Sequence, residues 1–416
     1  MSEAGNRRDR EQRRTVGLIV VSHGLSKLGD ALMNPKTTLG WLGASLGVPV
    51  WMIGLAVPIR EAGSMVLQSL IAAQLDRWSR RKWVWSAGAL LQGAAVAAMA
   101  LSALTLQGET AGYALLGLLL LFALARSACS LASKDVMGRV LDASIRGRAG
   151  GWAAAAAGLA TLLVASVLLG TGDLGQAEVI AWVLLAAAAA WWLAAALFAA
   201  VDEPRDDSAG STSGSAWAKL RLLTGDRRLM RFVVIRSLLL CSALSAPYYL
   251  LLANQQASID AARWWWFVLL AGLAGMLGGP IWGRLADRSS RWVMGMAAGL
   301  AAALGLTAFA LASVGSSWLS QAWLIPGLFW LLCVAHEGVR IGRKTWIINI
   351  AEGQQRRDYV AASNTAMGLI LLPVGALSAM LAERSLAAAL LALALLGAVG
   401  AIMAWRLPAA ESSSSG

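Results

Sequence analysis

Gly283-Arg-Leu-Ala-Asp-Arg-Ser-Ser-Arg291 is a charged stretch wedged between two apolar runs, each long enough to cross a bilayer. A worn copy, Ala72-Ala-Gln-Leu-Asp-Arg-Trp-Ser-Arg-Arg-Lys82, stands about 210 residues earlier, again between apolar runs. One such hairpin is an ordinary loop. Its recurrence, once in each half of the chain, indicates a duplicated membrane unit.

Composition agrees. Of 416 residues 58% are hydrophobic and 14% charged, with a mean hydropathy of +0.63, which leaves too little charge to coat a soluble domain of this size. Ala- and Leu-rich runs without period-two alternation favour helices over a β-barrel. The runs predict an all-α protein with twelve transmembrane helices. The first six cover 16–35, 46–73, 83–106, 111–133, 150–170 and 178–201. The second six cover 232–253, 264–283, 292–313, 318–339, 359–382 and 386–406. Between the sets the polar stretch 202–231, with Asp-Asp-Ser-Ala-Gly-Ser-Thr-Ser-Gly-Ser at its centre, reads as a flexible cytoplasmic linker. The expected domains are a cytoplasmic segment 1–15, a bundle 16–201, the linker, a bundle 232–406 and a disordered tail 407–416.

The net charge of +12 is distributed by topology. With a cytoplasmic N-terminus, 28 of the 35 Lys and Arg fall in cytoplasmic segments, while the outer loops hold only Lys36, Arg263 and Arg384. That is the positive-inside pattern, and it places both termini in the cytoplasm and argues against a nucleic-acid partner. The basic stretch Arg7–Arg14 is not followed by a clean apolar run or a small-residue cleavage site, so no cleaved signal peptide is expected. Cys129, Cys241 and Cys333 fall inside spans without metal-ligand spacing, and no metal or cofactor is expected. Trp83, Trp264, Trp265, Trp292 and Trp318 flank span ends, as interfacial anchors do.

Further coincidences recur at the same offset. Lys134 and Lys344 each begin a basic loop, Gly158-Leu and Gly368-Leu follow, and Arg126 in span 4 matches His336 in span 10. Charge inside the spans is costly and marks candidate sites. In span 1, His23, Lys27, Asp30 and Asn34 recur at helical spacing and form one polar stripe that must face the bundle interior. In span 2, Arg60 and Glu61 sit near the midplane after Pro58, and Ser64 and Gln68 continue their face. Arg126 lies two-thirds through span 4. His336, Glu337 and Arg340 cluster towards the cytoplasmic end of span 10. A carboxylate in a dry cavity can load and release protons, so Asp30, Glu61 or Glu337 is a candidate proton carrier with His336 as an auxiliary. Lys27, Arg60 and Arg126 would hold an anionic or zwitterionic solute, or neutralise those carboxylates. The competing reading makes Lys27–Asp30 and Arg60–Glu61 internal ion pairs that fix helix packing.

The two charged hairpins resemble the loops between helices 2 and 3, and between 8 and 9, of major facilitator superfamily transporters. That resemblance implies two pseudo-symmetric six-helix bundles and alternating access by rocking around a central site. It also implies a state-clamping role for Asp76, Arg77, Asp287 and Arg288, with Arg80, Gly283 and Arg291 in the same gating loops. Gly283 would turn the chain where span 8 ends, and Asp287 would accept from a neighbouring helix N-terminus. The small residues Gly275, Gly279 and Gly283, four apart, would allow close helix contact. Ser79 and Ser290 replace the usual Gly, and Ala72 and Gln74 depart further. Arg126 is similar to the buried Arg of helix 4 tied to proton coupling, although Cys129 and Ser130 replace the residues that usually follow it.

No P-loop or catalytic signature is present, so the expected function is not enzymatic. It is secondary transport of a small organic solute, coupled to protons, by a monomer in the lipid of a bacterial inner membrane. Proton-driven export of drugs or metabolites is an alternative, although 150–170 lacks the proline that such exporters carry in helix 5. An assembly factor or sensor on a transporter scaffold is a second.

Overall fold

The computed structural model describes residues 3–408 except 67, 69–70, 72–77, 142, 170–175, 206–224, 258–260, 316 and 351–352. Asp76 and Arg77, the core of the linker and most of the expected tail therefore lie outside the described residues. The chain runs through α1 (Glu3–Leu32), α2 (Thr38–Ser45), α3 (Val50–Val66), α4 (Lys82–Thr105), α5 (Gly108–Val140), α6 (Ala143–Leu169) and α7 (Gln176–Ala199). It continues through α8 (Arg227–Leu239), α9 (Cys241–Leu244), α10 (Ala246–Ala257), α11 (Ala261–Arg288), α12 (Ser290–Ser313), α13 (Leu324–Asn349), α14 (Gly353–Arg384) and α15 (Leu386–Trp405).

Among the described residues, ten helical stretches are long and apolar enough to cross a membrane. The expected spans 1 and 2 are not among them. The first, α1, has 30 residues but is too polar along its length, and α3 has only 17 described residues.

Two bundles share one packing plan. In the first, α4 lies against α5 and α7, and α1 rests on α6 and α7; in the second, α12 lies against α13 and α15, and α8 rests on α14 and α15. Small residues set both close contacts. A Cβ at Gly93 of α4 would stand 2.5 Å from Trp192 Nε1 of α7, and one at Gly305 of α12 would stand 2.8 Å from the Ala394 Cβ of α15. The bundles meet along α3 and α14 and along α6 and α11. Gly375 of α14 receives the ring of Pro58, and Gly54 of α3 receives Tyr248 and Ala379.

Arg80–Lys82 and Arg288–Arg291 mark a basic end of the molecule. There the side chain of Glu203, 1% exposed, caps α4: Oε1 accepts from Arg81 N at 3.1 Å and Oε2 from Lys82 N at 2.7 Å. Lys82 Nζ donates to Val201 O at 2.7 Å, and Arg81 and Arg139 share Asp135. Glu203→Ala would strand two helix N–H groups in a dry corner. It should lower stability by about 1–3 kcal/mol, read as a drop in the unfolding midpoint of the detergent-purified protein.

At the second bundle's basic end, Asp226 caps α8, accepting from Arg228 N at 2.7 Å and Leu229 N at 3.2 Å, and Tyr359 donates its hydroxyl to the same carboxylate. Burial would raise the Asp226 pKa, but these bonds and the Arg228 charge outweigh it and hold the carboxyl below its usual range. Arg291 Nη1 donates to Leu407 O at 2.9 Å and pins the chain after α15. At the opposite end Glu383 Oε2 accepts from Trp51 N at 2.8 Å, joining α14 to the start of α3.

Several sequence expectations need correcting. Gly283 makes no turn: it lies inside α11, and the chain turns at Ser289. Asp287 and Arg288 are exposed, and the carboxylates that take helix N–H groups at this end are Glu203 and Asp226. The helix expected over 318–339 starts instead at Leu324 and runs to Asn349, so His336, Glu337 and Arg340 sit at mid-helix. Trp264 and Trp265 are 1% and 3% exposed and pack on each other, whereas Trp83, Trp292 and Trp318 are exposed.

Candidate functional site

Span 1 does not close at residue 35. Pro35 has no amide hydrogen to give, and the Asn34 side chain takes Lys36 N at 2.9 Å in place of a helical carbonyl. The helix breaks over Met33–Thr37 and resumes as α2, whose Thr38–Gly43 are buried. Lys36 is therefore not in an outer loop. It lies between the bundles, with Nζ 3.1 Å from His336 Nε2 on α13. An ammonium can only donate, so Nε2 accepts and Nδ1 carries the ring hydrogen, given to Ser242 Oγ at 3.0 Å. Ser242 in turn donates to Leu239 O at 3.0 Å. This chain of donors fixes His336 as a neutral ring.

One turn back on α1, Asp30 gathers two guanidiniums from two other helices. Oδ1 is 3.2 Å from Arg60 Nη2 of α3, and Oδ2 meets Arg126 of α5. Arg60 also reaches Glu61 Oε1 at 3.2 Å, and Arg126 donates to Ser26 Oγ at 3.3 Å. Arg126, just past the midpoint of α5, thus pairs inward and does not snorkel. Lys27 does not pair with Asp30, against the packing alternative. It is exposed, on a cavity of about 280 Å³ that Asn34, Thr37 and Thr161 also line. Arg340 of α13 lines the same cavity, and its Nε donates to Glu337 Oε2 at 3.0 Å. The remaining walls are small residues of α6 and α11.

His23 departs from the rest of the stripe. Its Nε2 lies 2.6 Å from Ser133 Oγ of α5, and the ring packs among Trp85 and Phe198 inside the first bundle. Gln68 accepts from Asn364 Nδ2 at 3.1 Å, a contact across the bundles. Asn364 and Ser363 of α14 accept from Arg236 of α8, at 2.8 and 2.7 Å. Sequence reasoning missed Lys36, Arg236 and Arg343 as site residues. Each was visible as a cation in or beside an apolar run, but only folding brings Lys36 against His336 of the other bundle.

The sequence matches the Major Facilitator Superfamily over residues 19–342. None of the curated proteins compared with the chain matches it. Among solved structures, it is similar to a D-xylose-proton symporter, with 16% identity, a TM-score of 0.66 and coverage of 96% of this chain and 98% of that one. It is also similar to the nucleoside transporter NupG, with 13% identity, a TM-score of 0.65 and coverage of 95% and 98%. The partially occluded inward-open form of the xylose transporter XylE from E. coli gives 15%, 0.68, and 96% and 98%.

Proposed function

The chain belongs to the major facilitator superfamily, and from that premise we propose that it is a proton-coupled secondary transporter of a small organic solute, with Asp30 as the proton carrier. The observation that carries this reading is the geometry of Asp30, whose two oxygens hold two different helices through Arg60 and Arg126. A proton on Asp30 cancels the charge that binds both. Arg60 then has Glu61 as its remaining anion, and Arg126 is released. Protonation is thereby linked to how α1, α3 and α5 sit against one another, which is what coupling an ion gradient to alternating access requires.

In this reading the solute occupies the cavity between Lys27 and Arg340, contributed by opposite bundles, 16–201 and 232–406. The gating loops around Arg80, Gly283, Asp287, Arg288 and Arg291, with Asp76 and Arg77, face the cytoplasm of a bacterial cell, as do both termini. The protein works as a monomer. The test is proton flux in liposomes carrying an internal pH dye: a transported solute should acidify or alkalinise the lumen only when the protein is present. Solute entry with no accompanying proton movement would remove the coupling.

A further inference from the structure

We propose that the transported solute is a small organic anion and that Arg236 and Arg343 hold its carboxylate or phosphoryl group. The inference rests on the transporter reading above and narrows it to a substrate class. It starts from charge balance between the bundles. Asp30 and Glu61 are matched by Arg60 and Arg126, and Glu337 is matched by Arg340. Lys27, Lys36, Arg236 and Arg343 remain, as do Lys134 and Lys344 further along α5 and α13, and among the described residues none of the first four has a carboxylate partner. Cations left unmatched within the helical bundles are expensive unless an anion joins them.

Arg236 and Arg343 are the most demanding of the four. Arg236 is 9% exposed and bonded only to the neutral Ser363 and Asn364, and its Nε has no acceptor. Arg343 has no hydrogen-bond partner among the described residues, and its Nη1 is buried. The two guanidiniums act on each other as like charges. The anion acting most strongly on Arg343 is Glu61, already taken by Arg60. Two planar forks with spare N–H groups, repelling each other, are what a bidentate oxyanion relieves.

The organic part follows from the neighbouring cavity. Arg343 lies one turn along α13 from Arg340, on the same face, and Arg340 lines the cavity of about 280 Å³. Ala154, Ala157, Gly158, Ala271, Gly272 and Gly275 give that cavity small apolar walls. A short carbon skeleton fits there while its charged end meets the arginines.

The experiment is thermal unfolding of the detergent-purified chain at constant ionic strength, with succinate, inorganic phosphate, D-xylose or uridine added against a chloride control. Succinate or phosphate should raise the midpoint saturably. Arg343→Gln should weaken that binding at least ~30-fold, as loss of one partner from a buried charged pair does. Without added anion, Arg343→Gln should unfold no lower than wild type, since it removes an unmatched cation. Arg343→Lys, which keeps the charge and loses the fork, should fall between. The proposal is overturned if neither oxyanion acts beyond chloride, if the shift survives intact in both Arg343→Gln and Arg236→Gln, or if D-xylose or uridine gives the larger, arginine-independent shift. Asp30→Asn should still bind the anion, so failure of proton coupling and failure of the substrate class are read separately.

Discussion

Asp30→Asn is expected to abolish solute-evoked proton flux while leaving the protein inserted in the membrane. Asparagine has the shape of the protonated carboxyl but cannot lose a proton or attract a guanidinium. Arg126 then loses its only carboxylate among the described residues, and Arg60 keeps Glu61 alone. Breaking a buried pair from one side costs ~3–5 kcal/mol, an upper figure here because Asp30 is 15% exposed and water can compensate in part. A lowered unfolding midpoint should therefore accompany the loss of flux. The double variant Asp30→Asn with Arg126→Gln separates the two roles: it should regain stability without regaining coupled flux. Wild-type flux in Asp30→Asn would mean that the ion pairs only fix packing.

The second large effect is expected at the seam between the bundles. A Cβ at Gly375 would fall 2.1 Å from Pro58 Cγ and 2.5 Å from its Cβ. A proline ring is tied to its own backbone and cannot swing aside, so Gly375→Leu must push α14 off α3 along their length. Overpacking of this kind costs ~1–3 kcal/mol in a core that cannot relax. In a protein built to separate its halves, the strain can instead be relieved by opening. The population would then shift towards a state parted at the end that carries Trp51 and Glu383, by roughly ten- to a hundredfold for ~1.4–2.8 kcal/mol. Thiol labelling of Trp51→Cys from that side should quicken in the Gly375→Leu background, and transport should stop. Unchanged labelling together with normal transport would show that the seam does not limit the cycle.

Much of the architecture was legible because the membrane imposes it. Length and apolarity locate helices, and the repeated charged hairpins reveal the duplication. The polar stripe on α1 was legible at Lys27 and Asp30, since charges on an apolar helix must turn inward. It misled at His23, whose neighbours are the aromatic rings of its own bundle. Lys36 was misplaced because Pro35 and Asn34 look like the end of a helix, and a broken helix that resumes has the same local signature. The ends of α11 and α13 were set short because helices run past the apolar zone into charged residues that hydropathy treats as loop. Arg236 meets Ser363 and Asn364 of α14, and contacts across more than a hundred residues leave no local trace.

The two carboxylate caps at the basic end have a mechanical consequence. Glu203 fastens the strap leaving the first bundle, and Asp226 with Tyr359 fastens its arrival at the second. Glu203 ties the chain after α7 to the start of α4, and Asp226 ties the first turn of α8 to Tyr359 of α14, so each end of the connection is bound within its own bundle. A protease nick between Arg205 and Gly225 would leave each half riveted to itself, held to the other by the seams of α3 with α14 and α6 with α11 and by smaller contacts such as α2 with α10.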